Sequence, residues 1–148
     1  ANEASQERFA GRISDYFKNK GEGITLAVWG LAFKAKTDDV RESPAINCVN
    51  KLLADGFKIR AYDPEAGVTA KAAIGNKVEI LENGYDALDG ADALVILTEW
   101  QEFRNPDFEV IVKKLKKPIV FDGRNLYDFD VVKKTGIEYH SVGRPTVK

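Results

Sequence analysis

The sequence predicts a doubly wound α/β fold, in which helices cover both faces of one parallel sheet. Short apolar runs alternate along the 148-residue chain with segments of helical spacing, as in successive β-α-β units. Residues 91–98 are apolar almost throughout, which is typical of a parallel strand buried on both faces. We therefore expect a single three-layer, Rossmann-like domain, preceded by the end of a long helix.

The first elements are predicted by periodicity and by residues that begin or end helices. Residues 1–20 carry one apolar stripe at helical spacing and end at a glycine-rich turn. Residues 24–29 form a buried first strand. Ser43 and Pro44 predict the next helix start, since serine is a favoured N-cap and proline a favoured first helical residue. Gly56 is a plausible end of that helix.

The rest of the chain continues the alternation of strands and helices. Each strand is predicted from an apolar run and each helix from apolar residues three or four apart. The expected strands are 57–62, 78–80, 91–98, 118–122 and 136–142, and the expected helices lie near 68–74, 85–88, 107–115 and 128–134. We expect the tail after Gly143 to be loosely held.

Composition excludes several classes of function. The net charge of −1 gives no general attraction to nucleic acid or to a membrane surface, and no apolar run approaches the ~20 residues that cross a bilayer. Cys48 is the single cysteine, which excludes an internal disulfide and fits a reducing cytoplasm. The chain lacks methionine even at position 1, as expected for a piece of a longer chain, although residue labelling or tag removal would explain this as well.

The most informative segment is the charged stretch 30–42, between the first strand and the helix that starts at Ser43. Strand-to-helix loops usually take about two to six residues, and this one takes about twice as many. A long loop that leaves the carboxyl end of a strand and enters a helix N-terminus is where such folds bind anionic ligands. We expect this loop to form the working surface.

Two further loops, 98–103 and 122–125, should open at the same edge of the sheet. Together the three loops supply cations and flat apolar side chains, a combination that suits a nucleotide-like ligand because charge-assisted donors hold phosphates. The cations are Lys34, Lys36, Arg41 and Arg124, and the flat side chains are Phe33, Trp100 and Phe103.

Simpler interpretations remain open for each of these residues. The two lysines could be ordinary solvated charges, and Arg41 could pair with acidic residues of its own loop. Trp100 and Phe103 suit the core equally well. Arg124 is the stronger candidate, because Gly123 permits a tight turn that aims its side chain.

A dinucleotide-binding site of the usual kind is not predicted. Asp63 ends the second strand where a ribose-binding carboxylate would lie, and Gly30 ends the first strand. However, the Gly-x-Gly-x-x-Gly turn is missing, since no glycine follows Gly30 before the helix.

Catalytic patterns are equally sparse. Cys48 falls within a predicted core helix, which predicts a buried apolar residue rather than a nucleophile. His140, the single histidine, has no obvious acid or serine partner in the sequence, and one cysteine with one histidine makes no zinc site. The sequence therefore indicates binding rather than catalysis, with no catalytic residue in this chain.

The order of several motifs resembles the C-terminal domain of the UDP-glucose/GDP-mannose dehydrogenase family. The motifs are Gly-Leu-Ala-Phe-Lys at 30–34, Thr-Asp-Asp-Val-Arg-Glu-Ser-Pro at 37–44, Tyr-Asp-Pro at 62–64, Leu-Thr-Glu-Trp at 97–100 and Asp-Gly-Arg-Asn at 122–125. The last motif is most similar to the UDP-glucose 6-dehydrogenase branch. Ala35 and Lys36 stand where the family often has proline and asparagine, which affects loop stiffness more than ligand contact.

The resemblance implies a division of the chain and of the enzyme. Residues 1–20 would be the end of an interdomain linker helix, 23–145 the UDP-sugar-binding domain and 146–148 a tail. The N-terminal domain, absent here, would bind NAD and carry the catalytic cysteine and lysine, so this chain alone should be inactive. The full enzyme would be a cytoplasmic homodimer that oxidises the C6 alcohol of UDP-glucose to a carboxylate in two NAD-dependent steps.

The same resemblance assigns roles to four residues. Phe33 and Lys34 would contact the UDP-sugar, Arg124 would bind its nucleotide portion, and Arg41 would reach across the cleft to NAD. Three alternatives stay open: the same domain of a GDP-mannose dehydrogenase, that of a UDP-N-acetylhexosamine dehydrogenase, or a stand-alone nucleotide-sugar-binding module.

Overall fold

Within a computed structural model that describes residues 3–18, 22–32 and 43–148, six parallel strands form one sheet in the order β3-β2-β1-β4-β5-β6. This order confirms the doubly wound fold, because successive strands are added outward from β1 in one direction and from β4 in the other. The strands are β1 (Thr25–Trp29), β2 (Lys58–Tyr62), β3 (Glu79–Ile80), β4 (Ala93–Ile96), β5 (Ile119–Asp122) and β6 (Glu138–Ser141).

Helices cover both faces of this sheet. In chain order they are α1 (Glu3–Tyr16), α2 (Pro44–Ala54), α3 (Gly67–Ile74), α4 (Gln101–Arg104), α5 (Phe108–Lys114) and α6 (Phe129–Lys133), with 3₁₀ turns at Gly75–Lys77 and Asp86–Leu88. None of the helices in the described part of the chain is long and apolar enough to cross a membrane.

Alternation along the strands divides the core into two layers. Leu26 and Val28 of β1 point to the layer formed with α1, α2 and α3, and Ala27 and Trp29 point to the layer formed with α4, α5 and α6. Because both faces are covered, the central strands are apolar at nearly every position, as the sequence predicted.

The predicted start of α2 is confirmed. The Ser43 hydroxyl accepts a hydrogen bond from the backbone N–H of Ile46 at 3.4 Å, and Pro44 is the first helical residue. The same hydroxyl donates to the carbonyl oxygen of Leu31 at 2.9 Å. Ser43 therefore both begins the helix and ties its start to the end of β1.

Several sequence-based boundaries need correction. The first helix ends at Tyr16, and Lys18 has the left-handed φ of 59°, so the helix ends earlier than the sequence predicts. Helix α4 was not predicted. The expectation of a loosely held tail is wrong for Val147, whose N–H and carbonyl exchange hydrogen bonds with Tyr139 at 2.9 and 2.8 Å.

Candidate functional site

The crevice lies where the order of the strands reverses, between the carboxyl ends of β1 and β4. Gly30 follows β1 with φ of 102°, and a Cβ atom on it would lie 2.0 Å from the hydroxyl oxygen of Thr98. Only glycine lets the two loops approach so closely. Such a switch point is where open parallel sheets bind ligands, and the loops that the sequence analysis singled out after β1 and β4 begin there.

Asp63 holds the start of the long loop. One oxygen of its buried carboxylate accepts the N–H groups of Leu31 and Ala32 at 2.7 and 3.1 Å. The other oxygen accepts the N–H groups of Glu65 and Ala66 at 2.9 and 2.8 Å. Because both oxygens accept backbone N–H groups, Asp63 stabilises the start of the long loop and is not placed to bind a ribose.

Both ends of the long loop are therefore anchored beside β1, at Leu31 and at Ser43. Its predicted ligand-binding residues, Phe33, Lys34 and Arg41, lie outside the described residues, as does Lys36. Their roles stay predictions.

Asp122 organises the loop after β5. Its buried carboxylate accepts the N–H of Arg124 at 2.8 Å, the N–H of Leu126 at 2.7 Å and the hydroxyl of Tyr139 at 2.6 Å. The proximity of this carboxylate, together with burial, which is the larger effect, raises the pKa of the Tyr139 hydroxyl. The Asp122 carboxylate therefore holds the backbone on both sides of the Arg124 side chain, through the N–H groups of Arg124 and Leu126.

The turn itself is made by a different residue from the one expected. The positive φ belongs to Asn125, at 57°, and not to Gly123. The Asn125 amide donates to the carbonyl of Val142 at 2.9 Å and accepts from its N–H at 2.8 Å. Gly123 is needed for space instead, since a Cβ there would lie 3.2 Å from the Ile96 carbonyl oxygen and from the Phe9 ring.

Arg124 projects from this fixed turn toward a glutamate that sequence reasoning left without a role. The Nη2 atom of Arg124 lies 3.3 Å from Oε1 of Glu99, and Nη2 of Arg104 lies 3.4 Å from Oε2 of the same carboxylate. The three side chains are 36%, 47% and 42% exposed for Arg124, Glu99 and Arg104. The cluster is therefore open to solvent, with two cations and one anion.

The apolar residues after β4 belong to the core. Phe103 is buried and stacks on Trp29 with ring centroids 5.0 Å apart, and Trp100 is 8% exposed. The hydroxyl of Tyr127 donates to the Phe103 carbonyl at 2.6 Å, joining the loop after β5 to α4. Of the two interpretations left open for Trp100 and Phe103, the structure supports the core.

Two polar atoms beside the crevice are buried without a hydrogen-bond partner among the residues that the structure describes. They are the hydroxyl oxygen of Thr98 and the indole nitrogen of Trp100. A buried group without a partner loses the hydrogen bonds it makes to water in the unfolded chain. Both atoms belong to the loop that forms one wall of the crevice.

Cys48 and His140, the candidate nucleophile and base, both pack within the fold. Cys48 is 1% exposed within α2, and burial raises the pKa of its thiol to about 12, so its position suits a buried apolar residue better than a nucleophile. His140 does have an acid partner, contrary to the sequence-based expectation: its Nε2 lies 2.7 Å from Oε2 of Glu138. Its ring stacks on Phe121 at 4.6 Å, within the sheet.

No group of three or more metal-ligating side chains lies together in the described ranges. The described site consists of the two anchored ends of the long loop at Leu31 and Ser43, a glycine that lets two loops converge, and an exposed arginine on a hydrogen-bonded turn. Among α/β domains with an open parallel sheet, this arrangement at the switch point is typical of those that bind an anionic ligand.

The chain belongs to the UDP-glucose/GDP-mannose dehydrogenase family, whose UDP binding domain matches residues 27–129. It is 41% identical over 138 residues to a UDP-glucose 6-dehydrogenase of Pseudomonas aeruginosa, a match that covers 90% of this chain and 30% of that protein. The chain thus spans about a third of the length of the curated relatives it matches.

Solved structures give the same result for the fold. A UDP-glucose dehydrogenase from the archaeon Pyrobaculum islandicum superposes with a TM-score of 0.75 at 29% identity, covering 95% of this chain and 30% of that one. A UDP-D-ManNAc dehydrogenase from Pyrococcus horikoshii superposes with a TM-score of 0.71 at 30% identity, covering 93% and 31%.

Proposed function

We propose that this chain is the UDP-sugar-binding domain of an NAD-dependent UDP-glucose 6-dehydrogenase, which oxidises UDP-glucose to UDP-glucuronate. The observation that supports this most strongly is Arg124, held by Asp122 on a rigid turn with its guanidinium exposed beside the crevice. The membership of the chain in a family with a UDP binding domain gives the ligand class.

The geometry suits a nucleoside diphosphate for a physical reason. A guanidinium presents a planar set of donors that bonds two phosphate oxygens at once, and a fixed backbone lowers the entropy lost on binding. Arg124 would bind the nucleotide portion of the ligand in this way. Phe33 and Lys34, from the anchored long loop, would contact the UDP-sugar.

NAD would be bound mainly by a part of the enzyme outside this chain, with Arg41 reaching it from the long loop. Bound there, NAD would supply the hydride acceptor for the oxidation at C6 of the sugar. The described residues do not fit a dinucleotide site of the usual kind, because both oxygens of Asp63 are bonded to backbone N–H groups. This chain therefore holds and orients substrate.

The remaining partners follow from the same proposal. The N-terminal NAD-binding domain of the full-length protein would close over the crevice and supply the catalytic cysteine and lysine, and the full-length enzyme would form a homodimer in the cytoplasm. The pure chain should produce no NADH from UDP-glucose and NAD, because Cys48 is buried with a raised thiol pKa.

A second candidate is the same domain of a UDP-N-acetylhexosamine dehydrogenase. The similarity to the Pyrococcus horikoshii UDP-D-ManNAc dehydrogenase supports it, since identity and TM-score nearly equal those for the Pyrobaculum islandicum UDP-glucose dehydrogenase. The 41% identity to the Pseudomonas aeruginosa UDP-glucose 6-dehydrogenase favours UDP-glucose.

Calorimetric titration with a panel of nucleotides tests the proposal. We expect weak binding of UDP, UDP-glucose and UDP-N-acetylhexosamines, and none of NAD, because half of the cleft is missing. Preference for GDP-mannose would assign the chain to the sister branch. If no nucleotide of the panel binds, the proposal that this domain holds the substrate is wrong for the isolated chain.

A further inference from the structure

Glu99 lies between two arginines at the opening of the crevice. We propose that Glu99 is an internal counterion, which pairs with Arg124 while the site is empty and moves to Arg104 when the phosphates of a nucleotide bind. This inference rests on the proposed function, because it takes Arg124 as the phosphate-binding residue.

The backbone around Arg124 is rigid, but its side chain has a single ion-pair partner among the described residues. Asp122 bonds the Arg124 N–H, and Asn125 bonds both polar backbone groups of Val142. The guanidinium, by contrast, contacts Glu99 through one nitrogen at 3.3 Å. The turn therefore stays in place whether or not Glu99 remains paired with Arg124.

Both contacts of Glu99 are weak ion pairs. Their distances of 3.3 and 3.4 Å exceed the ~2.8 Å of a strong charge-assisted hydrogen bond, and each joins one nitrogen to one oxygen. All three side chains are more than a third exposed, so water and salt screen the attraction. A diphosphate carries more charge and more acceptor atoms than one carboxylate, so it displaces Glu99 from Arg124.

Arg104 gives the displaced carboxylate a partner. It ends α4, and its Nη2 already contacts Oε2 of Glu99, whereas Arg124 contacts Oε1. Exchange therefore needs no new element of structure, only a shift of Glu99 toward a contact that exists. Without Arg104 the carboxylate would remain beside the bound phosphates and repel them. Arg104 would thus increase affinity as a positioning residue that does not touch the ligand.

A double-mutant cycle tests this exchange, with UDP as the probe and calorimetry at fixed ionic strength. Glu99→Gln should bind UDP about two- to fivefold more tightly, because the competing anion is removed. Arg104→Gln should bind it more weakly by a similar factor. In the Glu99→Gln background, Arg104→Gln should have no further effect, since there is no carboxylate left to hold. Arg104→Lys, which keeps the charge, should restore wild-type affinity.

Three results would overturn the inference. Arg104→Gln could weaken binding equally in both backgrounds, which would mean that Arg104 acts on the ligand directly. Glu99→Gln could weaken binding, which would mean that Glu99 aims Arg124 rather than competes for it. If UDP binding is absent or unaffected by Arg124→Gln, the proposed function fails and the exchange fails with it. Urea unfolding of each variant is the control: a midpoint equal to that of the wild type shows that a change in UDP affinity does not come from misfolding.

Discussion

Gly30 and Thr98 approach so closely that a single added carbon on Gly30 would lie 2.0 Å from the Thr98 hydroxyl oxygen. The approach joins the loops that leave β1 and β4, at the point where the strand order reverses. The N–H of Gly30 also donates to the Tyr62 carbonyl at 2.8 Å, which ties the same residue to β2. Gly30 therefore connects the loop after β1 with the loop after β4 and with the end of β2.

Gly30→Ala should therefore destabilise the chain by about 2–4 kcal/mol, because it combines a clash with a left-handed φ of 102°. Gly11→Ala is the matched control. Gly11 lies within α1 with nothing within 4 Å of an added Cβ, so alanine there should stabilise the helix by about 0.5–1 kcal/mol. Urea unfolding measures both. Equal effects at the two glycines would show that the loops separate easily.

Thr98→Val should leave stability unchanged or raise it by about 1 kcal/mol. The substitution replaces a buried hydroxyl that has no hydrogen-bond partner among the described residues with a methyl group of similar size. Urea unfolding of the two proteins checks this. A loss of more than about 2 kcal/mol would mean that the hydroxyl has a partner elsewhere in the chain.

Cys48 should be inert toward thiol reagents in the folded chain. Its side chain is buried in α2, and burial raises its thiol pKa to about 12, so little thiolate exists at pH 8. Labelling with a disulfide reagent should be slower than that of the urea-unfolded chain by about tenfold or more. Labelling at the unfolded rate under native conditions would show that the thiol is accessible and would reopen a catalytic role.

Stability should fall in acid partly through Glu138. Burial alone would raise the pKa of this carboxyl, but hydrogen bonds from His140 and Tyr16 outweigh it and lower the pKa below 4.5. A depressed carboxyl pKa stabilises the fold above pH ~5, and the contribution is lost as the pH falls through the folded-state pKa. The group is partly exposed, so the loss should be about 1 kcal/mol or less.

Glu138→Gln should reduce the difference in unfolding free energy between pH 6 and pH 3. Glu79→Gln, which removes an exposed carboxylate from β3 at the opposite edge of the sheet, is the control for the loss of one charge. Equal changes in pH dependence for the two variants would show that the contacts of Glu138 with His140 and Tyr16 add nothing beyond the loss of one charge.

The sequence was most informative where local chemistry decides structure. Buried strands, the Ser43 cap and the switch-point crevice follow from apolar runs, capping preferences and parallel topology. The sequence does not predict helix α4, because four residues are too few to show a helical period. Strand β4 is shorter than the apolar run that predicts it. The run continues past Ile96, the last residue of the strand, into Leu97 and Thr98, which are buried in the loop that follows.

The candidate site was predictable in place but not in detail. Arg124 follows from the motif and from the strand that precedes it. Its contact with Glu99 joins residues from two different loops, so it depends on the pairing of β4 with β5. The role of Asp63 was hidden for a similar reason, since two of its four N–H donors lie on another loop, after β1. Such contacts require the tertiary structure.

The most direct test of the proposed substrate-binding role is calorimetric titration of this chain with UDP, alongside Arg124→Gln and Lys58→Gln. Lys58 is an exposed cation at the first residue of β2, at the amino-terminal end of the strands, whereas the crevice lies at their carboxyl ends. Lys58→Gln therefore removes one positive charge, as Arg124→Gln does, without changing the crevice. We predict that Arg124→Gln lowers UDP affinity about tenfold or more and that Lys58→Gln leaves it unchanged. Equal affinities for the wild type and Arg124→Gln would contradict the assignment of the nucleotide to this arginine.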